Sequence, residues 1–313
     1  MAAVVTLTIN PTVDKSTSVT AVVPERKLRC TQPRSEPGGG GINVSRAILR
    51  LGGESVAVYA RGGRTGAALE ELLGREGVTQ QPVAIEDETR ENLIVLEESS
   101  GQQYRFGMPG PHLKPDEVRR CLAVVEEWEP APDYLVASGS LPPGAPVDLY
   151  ARLAQAAQRR GVRMVLDTSG EALREAAQSH VFLLKPNVAE LSQLAGCPFE
   201  EECDLEREAR RLVDRGVAEV VVVSLGAAGA ILVTGDDASR LRAPTVPIRS
   251  KIGAGDSMVA GIIYSLARGM SLRHSVMYGV AAGSAAVMTP GTELCRREDT
   301  ERLYQRLLSL ETA

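Results

Sequence analysis

Apolar residues recur along this chain in two rhythms. Near-continuous apolar runs at Tyr134 to Ser138, Val162 to Asp167, Val181 to Leu184 and Glu219 to Ser224 alternate with stretches at helical spacing, Val147 to Arg160, Glu171 to Gln178, Val188 to Ala195 and Leu205 to Arg215. Short runs without polar alternation suit strands covered on both faces, as in a parallel sheet. Alternating strand and helix predicts an α/β layered fold with right-handed crossovers. The opening Met1 to Ile9 is apolar but short, with no basic flank and no long apolar core, so it reads as a first strand and not a signal peptide. The C-terminal third is predicted helical over Ala254 to Arg268, Ser271 to Met288 and Arg296 to Leu310.

Two segments break this rhythm. Thr17 to Glu36 and Asp87 to Phe106 lack helical periodicity and are rich in Thr, Val and charge. They read as short antiparallel strands outside the main sheet that together form a small lid. With no linker, repeat or low-complexity tract, residues 1–313 are expected to be one domain, with lid segments at about 14–36 and 87–107.

Composition narrows the function classes. Hydrophobic residues are 43% and charged residues 24% of the chain, an ordinary globular balance. A net charge of −5 gives no basic field for nucleic acid or an anionic membrane, so an anionic substrate needs a local Arg and Lys cluster. No apolar run is long enough to span a bilayer. Five scattered cysteines without a CxxC pair, beside three histidines, argue against zinc and for a reduced, cytoplasmic protein.

Four motifs carry candidate chemistry. In Gly253-Ala254-Gly255-Asp256-Ser257, glycines precede a helical run, so backbone N–H groups can converge at the positive helix end as an anion hole for a phosphoryl group. Asp256 in the first turn is placed to take a proton from an attacking hydroxyl; the plain alternative is a turn with Asp256 as N-cap. In Pro37-Gly38-Gly39-Gly40-Gly41-Ile42-Asn43-Val44, the glycines let the backbone approach a ligand, and Asn43 offers a donor and an acceptor to sugar hydroxyls. This turn is neither a Rossmann fingerprint nor a Walker A loop. Lys185-Pro186-Asn187-Val188-Ala189-Glu190 puts Asn187 and Glu190 on one helix face, suited either to a hydrated Mg²⁺ or to simple capping. Ser224-Leu225-Gly226-Ala227-Ala228-Gly229 follows a Val-rich strand, suited to a nucleotide or to a tight turn between strands.

Each motif is modest alone, but their order along the chain resembles that of the ribokinase-like, PfkB-type carbohydrate kinases. The resemblance covers essentially the whole chain. Thr6-Leu7-Thr8, Asp14, Lys27 to Thr31, Glu36 to Val44, Tyr104-Arg105-Phe106, Ser138 to Gly144 and Gly279 to Ala286 are similar to the minor, ATP-dependent 6-phosphofructokinase branch. Relatives acting on fructose 1-phosphate or tagatose 6-phosphate usually carry Lys where Gly40 stands here, which favours fructose 6-phosphate.

The resemblance implies a three-layer sandwich with a mainly parallel central sheet and a small β-strand lid. It implies ATP and Mg²⁺, with Asp256 as base on the sugar C1 hydroxyl and the Gly253, Ala254 and Gly255 backbone as anion hole. Asp14, Gly39, Asn43 and Ser138 would hold the sugar. Lys27, Arg29, Arg90 and Arg105, beside or within the lid, would hold its phosphate, the ordinary fate of such residues being solvated surface charge. Lys185, Asn187, Ser224, Gly226, Gly229 and Ser284 would hold the nucleotide, and Glu190 the Mg²⁺. The lid strands would pair with those of a second copy in a homodimer, with Lys27 serving the neighbour's site. A K⁺ site is implied through Ser250, Ile252, Ala286, Thr289 and Gly291. Lys251 stands where relatives usually have Thr. Its ammonium either faces solvent, reaches the nucleotide phosphates or repels a bound cation, with Glu293, close to the other half of the loop, placed to offset that repulsion; the expectation is that K⁺ still activates. Rival readings are a fructose 1-phosphate or tagatose 6-phosphate kinase, a non-catalytic sugar-phosphate sensor, and a kinase of an unphosphorylated sugar or nucleoside. The last leaves four lid cations without a partner.

Overall fold

A computed structural model of the chain describes residues 3–199 and 202–311. Met1 and Ala2, at the head of the predicted first strand, lie outside the described residues. In chain order the strands are β1 (Val4–Thr8), β2 (Thr12–Val19), β3 (Arg34–Gly38), β4 (Val56–Gly62), β5 (Thr79–Ile85), β6 (Arg90–Glu97), β7 (Gln103–Phe106), β8 (Tyr134–Ser138), β9 (Arg163–Asp167), β10 (Val181–Leu184), β11 (Ala218–Ser224), β12 (Ala230–Thr234) and β13 (Ala238–Leu241). The helices are α1 (Gly40–Leu51), α2 (Gly63–Glu76), α3 (Pro115–Glu126), α4 (Leu149–Arg159), α5 (Gly170–Ala176), α6 (Val188–Ala195), α7 (Glu202–Asp214), α8 (Ala254–Leu266), α9 (Leu272–Val287) and α10 (Arg297–Glu311).

Nine strands form the main sheet in the order β13-β12-β11-β10-β9-β8-β1-β4-β5. Neighbours from β5 to β11 pair in parallel, and β12 and β13 are antiparallel. Alternate strand residues feed two cores, which explains the unbroken apolar runs. Val221 and Val223 pack with Leu153, Leu173 and Leu205 from α4, α5 and α7. Val220 and Val222 pack with Ile48, Ile263 and Val280 from α1, α8 and α9. The expected three-layer α/β sandwich is therefore the observed one. Among the described residues no helix is long and apolar enough to cross a membrane.

The lid is a separate four-stranded sheet, β3-β2-β6-β7. The expectation of antiparallel strands holds for β2 with β3 and for β6 with β7, but the central pair, β2 and β6, runs parallel. They come from distant parts of the chain, joined through α1, β4, α2 and β5, so no hairpin dictates their direction. Strand is also absent from 20–33, where Pro24 and Pro33 remove backbone donors around a charged run. One backbone bond and a side-chain bond hold the end of this segment: Thr31 N donates to the Ser18 carbonyl at 2.9 Å, and Thr17 Oγ1 to the Thr31 carbonyl at 2.7 Å.

Helix α8, which carries the Gly-Ala-Gly-Asp motif, is seated on α9 through small residues. A Cβ on Gly279 of α9 would stand 2.5 Å from Ile262 Cγ1 and 2.7 Å from the Met258 carbonyl of α8. Gly279→Ala is therefore expected to force the helices apart and cost about 1–3 kcal/mol. Chemical denaturation should read this as a lower midpoint with an unchanged m-value; a wild-type midpoint would mean the contact is not tight.

Candidate active site

The carboxyl ends of parallel strands gather candidate groups onto one edge of the sheet, as open α/β folds do. Ser138 ends β8 and Asp167 ends β9 directly opposite it. Lys185 follows β10, and Ser224 ends β11 beside Asn187. The Gly-rich turn between β3 and α1 and the start of α8 close over the same edge.

Asp256 is the third residue of α8, whose N-cap Gly253 has φ 73°. It is partly buried, and Asn43 Nδ2 donates to its Oδ2 at 2.9 Å. Burial and the nearby Asp167 carboxylate push the Asp256 carboxyl up to about 6, against the Asn43 hydrogen bond and the Lys185 ammonium. A carboxylate poised near neutrality suits proton acceptance. The Lys185 ammonium is buried, 3.1 Å from Asp167 Oδ1, and stands 3.7 Å from where a Cβ on Gly255 would be. It therefore places a positive charge at the start of α8, next to the helix's own free N–H groups. Burial would lower its pKa, but Asp167, Glu190 and Asp256 hold it above its ordinary value.

The Gly-rich turn has two separate physical causes. Gly39 takes φ 113°, closed to other residues at little cost. Gly40 lies flat against the end of β8: a Cβ there would collide with Ser138 Oγ and stand 2.7 Å from the Ser138 carbonyl carbon and 2.8 Å from Gly139 N. No side chain fits at position 40, lysine included, without moving β8.

At the lid, Asp14 Oδ1 accepts from Asn92 Nδ2 at 2.9 Å. Burial raises the Asp14 pKa, while Asn92, Arg90 and Arg105 oppose that rise, so both arginines lie within electrostatic reach. Arg90 is half-buried and partly engaged: Nη1 donates to the Met108 carbonyl and Nη2 to the Asn10 carbonyl, both at 3.0 Å, while its buried Nε has no partner. Arg105 is exposed on β7. Lys27 and Arg29 are exposed on the 20–33 loop.

Asn187 and Glu190 form a capping box. Glu190 Oε2 accepts from Asn187 N at 2.8 Å, and Asn187 Oδ1 accepts from Glu190 N at 2.9 Å. The pair is thus half committed to the helix end, and Oε1 of Glu190 is the oxygen left over. Burial and the Asp167 carboxylate raise the Glu190 pKa against Asn187 and Lys185. Two mutually repelling carboxylates, Asp167 and Glu190, are a donor set that a hard divalent cation would fit. Among the described residues no group of three or more His, Cys, Asp or Glu could hold a metal unaided. That suits an ion completed by phosphates and water.

The Ser224 turn is a tight connection between β11 and β12: a 3₁₀ turn, Gly226–Ala228, with Gly229 at φ 101°. Ser284 is buried in α9 and donates to the Val280 carbonyl at 2.8 Å, so its hydrogen is spent inside the helix. The 250 and 290 segments are brought together: Ser250 Oγ donates to the Gly291 carbonyl and Thr289 Oγ1 to the Ala286 carbonyl, each at 2.7 Å. Ile252 N donates to Ser250 Oγ at 3.2 Å. Glu293 has arginine partners, and Lys251 is exposed. Glu293 accepts from Arg296 Nε at 2.9 Å and lies 3.8 Å from Arg50 Nη1.

Sequence reasoning missed two residues. Asp167 carried no motif beyond ending a strand, though its place beside Ser138 follows from the strand order. Arg46 is a fully buried arginine on α1 that bonds Asn43; its signal was a charge on the apolar face of a helix.

A family model described as pfkB family carbohydrate kinase matches residues 2–299. The ATP-dependent 6-phosphofructokinase isozyme 2 of Escherichia coli is 46% identical over 308 residues, covering 98% of this chain and 99% of that protein. A 1-phosphofructokinase of Bacillus subtilis is 31% identical over 303 residues, 97% and 96% of the two chains. Phosphofructokinase-2 from Escherichia coli has been solved with potassium (45% identical, TM-score 0.94), with fructose-6-phosphate (44%, 0.93) and in a tetrameric inhibited form (44%, 0.93). Each alignment covers 98% of this chain and 100% of that one.

The Asp256 titration has a signed consequence for stability. Its folded pKa of about 6 lies above the ordinary 3.8, so the folded state holds the proton more tightly. This group's contribution therefore favours folding at low pH and is lost as pH rises through about 6. Above that, the cost is at most about 3 kcal/mol. Asp256→Asn keeps an acceptor for Asn43 and removes the charge. It should raise the unfolding midpoint at neutral pH, with the gain shrinking as pH falls from about 6 towards 4. Equal stability of both proteins at neutral pH would show that the carboxylate is not strained.

Proposed function

The chain belongs to the pfkB family of carbohydrate kinases, and from that membership and the site's geometry we propose that it transfers the γ-phosphoryl group of ATP to the C1 hydroxyl of fructose 6-phosphate, giving fructose 1,6-bisphosphate. The carrying observation is the Asp256 carboxylate, held by Asn43 at the start of α8 beside the Lys185 ammonium. The sugar C1 oxygen gives its proton to Asp256 as its bond to the γ-phosphorus forms. The bond from that phosphorus to the bridging oxygen breaks, and the electron pair leaves with ADP. Lys185 and the backbone of Gly253, Ala254 and Gly255 face the equatorial oxygens. A divalent cation, which we take to be Mg²⁺, supplies charge neutralisation on the phosphates when bound; Glu190, aided by Asp167, would hold it. Asn187, Ser224, Gly226, Gly229 and Ser284 line the approach we assign to the nucleotide.

The fructose 6-phosphate choice is supported by two things. Position 40 has no room for a side chain against Ser138. The fructose-6-phosphate complex belongs to a relative at 44% identity, against 31% for the 1-phosphofructokinase. Asp14, Gly39, Asn43 and Ser138 are assigned to the sugar, and Arg90 and Arg105 to its phosphate. Lys27 and Arg29 are assigned to the same phosphate, Lys27 serving the neighbour's site in a homodimer built through the lid. Leu93 and Phe106, cross-strand partners on β6 and β7, are 37% and 47% exposed, an apolar pair suited to that contact. We assign the chain to the cytoplasm.

ADP release should be measured with fructose 6-phosphate, fructose 1-phosphate and tagatose 6-phosphate, and kcat/KM should be highest for the first. Asp256→Asn should lower kcat by at least about 10²-fold with little change in KM. Near-normal turnover would reject the base.

Arg105→Ala should raise KM for the sugar phosphate by about 10- to 100-fold, the loss of one charge-assisted contact. KM for ATP should stay within about twofold, as expected where no phosphate contact is lost. Equal effects on both would point to folding or assembly instead.

We further propose that K⁺ binds the carbonyls of Ser250, Ile252, Ala286, Thr289 and Gly291. The Gly291 carbonyl accepts from Ser250 Oγ and retains a second lone pair, whereas the Ala286 carbonyl accepts from both Thr289 Oγ1 and Thr289 N and would have to release one of them to the ion. K⁺ should activate several-fold over Na⁺ at matched ionic strength. Indifference of the wild type, with dependence appearing in Lys251→Thr, would mean that the lysine has replaced the ion.

A further inference from the structure

Arg46 lies three residues after Asn43 on α1 with 1% of its surface exposed. Nη1 donates to the Pro37 carbonyl at 2.8 Å and to Asn43 Oδ1 at 3.1 Å. Nε and Nη2 donate to the two Glu76 oxygens at 2.8 and 2.6 Å. A buried guanidinium so engaged is held in one geometry.

The consequence falls on the Asn43 amide. An amide has one accepting and one donating end, and arginine can only donate. With Arg46 on one side, Asn43 must turn its oxygen to Arg46 and its N–H₂ to Asp256. The reverse orientation would set donor against donor at Arg46 and acceptor against carboxylate at Asp256.

We propose that Arg46 is a positioning residue for the reaction: by holding Asn43 Oδ1 and the Pro37 carbonyl together, it locks the Asn43 donor on the Asp256 carboxylate and fixes the Gly-rich turn to the same clamp. The ionic partner is Glu76 at the end of α2. Burial would raise its pKa, but the hydrogen bonds and charge of Arg46, with Arg50 and Arg34, bring it below its ordinary value, so it stays ionised across the working range. The groups facing Asp256 are Asp167 from β9, Lys185 after β10, Asp14 from β2 and Asn43 from α1. The two carboxylates oppose its ionisation, and Lys185 is shared with Asp167. Among the described residues, Asn43 is the side chain that hydrogen-bonds the ionised base directly, and a bond to the charged form favours it.

This inference rests on Asp256 being the base. The test is the pH profile of kcat/KM for fructose 6-phosphate in the wild type, Arg46→Lys, the double variant Arg46→Met/Glu76→Met, and Asp256→Asn. The double variant removes both charges together, which buried pairs tolerate better than losing one partner. Its acid limb should move up by about one pH unit, the loss of a charge-assisted hydrogen bond, with KM for ATP unchanged. Arg46→Lys should move the limb in the same direction by less, since an ammonium reaches Asn43 but cannot also fork to Glu76 and Pro37. A folded double variant with a wild-type limb overturns the assignment of Arg46 while leaving the base in place. A wild-type limb and turnover in Asp256→Asn overturns the base itself.

Discussion

Three carboxylates, Asp167, Glu190 and Asp256, surround the Lys185 ammonium. The sheet forces this crowding. Parallel strands end on the same edge, so whatever follows β9 and β10 is delivered to one place. Burial first, and then the Asp167 carboxylate, raise Asp256 and Glu190 together. The surplus negative charge disfavours a bare polyphosphate and favours one that arrives with its divalent cation, because only then does the added charge balance the carboxylates. The packing of α8 on α9 and the clamp on Asn43 both serve to keep like charges at close range.

Much of this was legible in the sequence. Buried-strand runs, helix spacing and the Gly-Ala-Gly-Asp turn all act through local rules, and α4 to α10 fall where the apolar spacing puts them, within a few residues. The parts that escaped depend on partners far along the chain. The parallel pairing of β2 with β6 is a contact across some eighty residues. Asp167 gains meaning from Lys185, which no spacing links to it, and Arg46, although three residues from Asn43 on one helix face, gains its from Glu76, thirty residues on. Asn187 and Glu190 show the converse: their spacing predicted a shared face correctly, but the helix end uses much of their bonding capacity.

The lid is not a free flap. Glu36 of β3 is buried, accepts from Thr292 and from Arg34, and so ties the strand leading into the Gly-rich turn to the segment beside the 286–291 loop. Arg90 ties β6 to the carbonyls of Asn10 and Met108. Through these ties the lid is joined to the Gly-rich turn and to the segment beside the 286–291 loop.

The contact between Gly40 and Ser138 has a consequence for how this chain can diverge. A residue that touches backbone on the facing strand cannot be exchanged alone. Any lineage leading from here to a longer side chain at position 40 must first loosen the end of β8, and a loosened β8 also shifts Asp167 across the register. The two changes are epistatic. A longer side chain at position 40 needs β8 to move, and a moved β8 carries the partner of Asp167 with it.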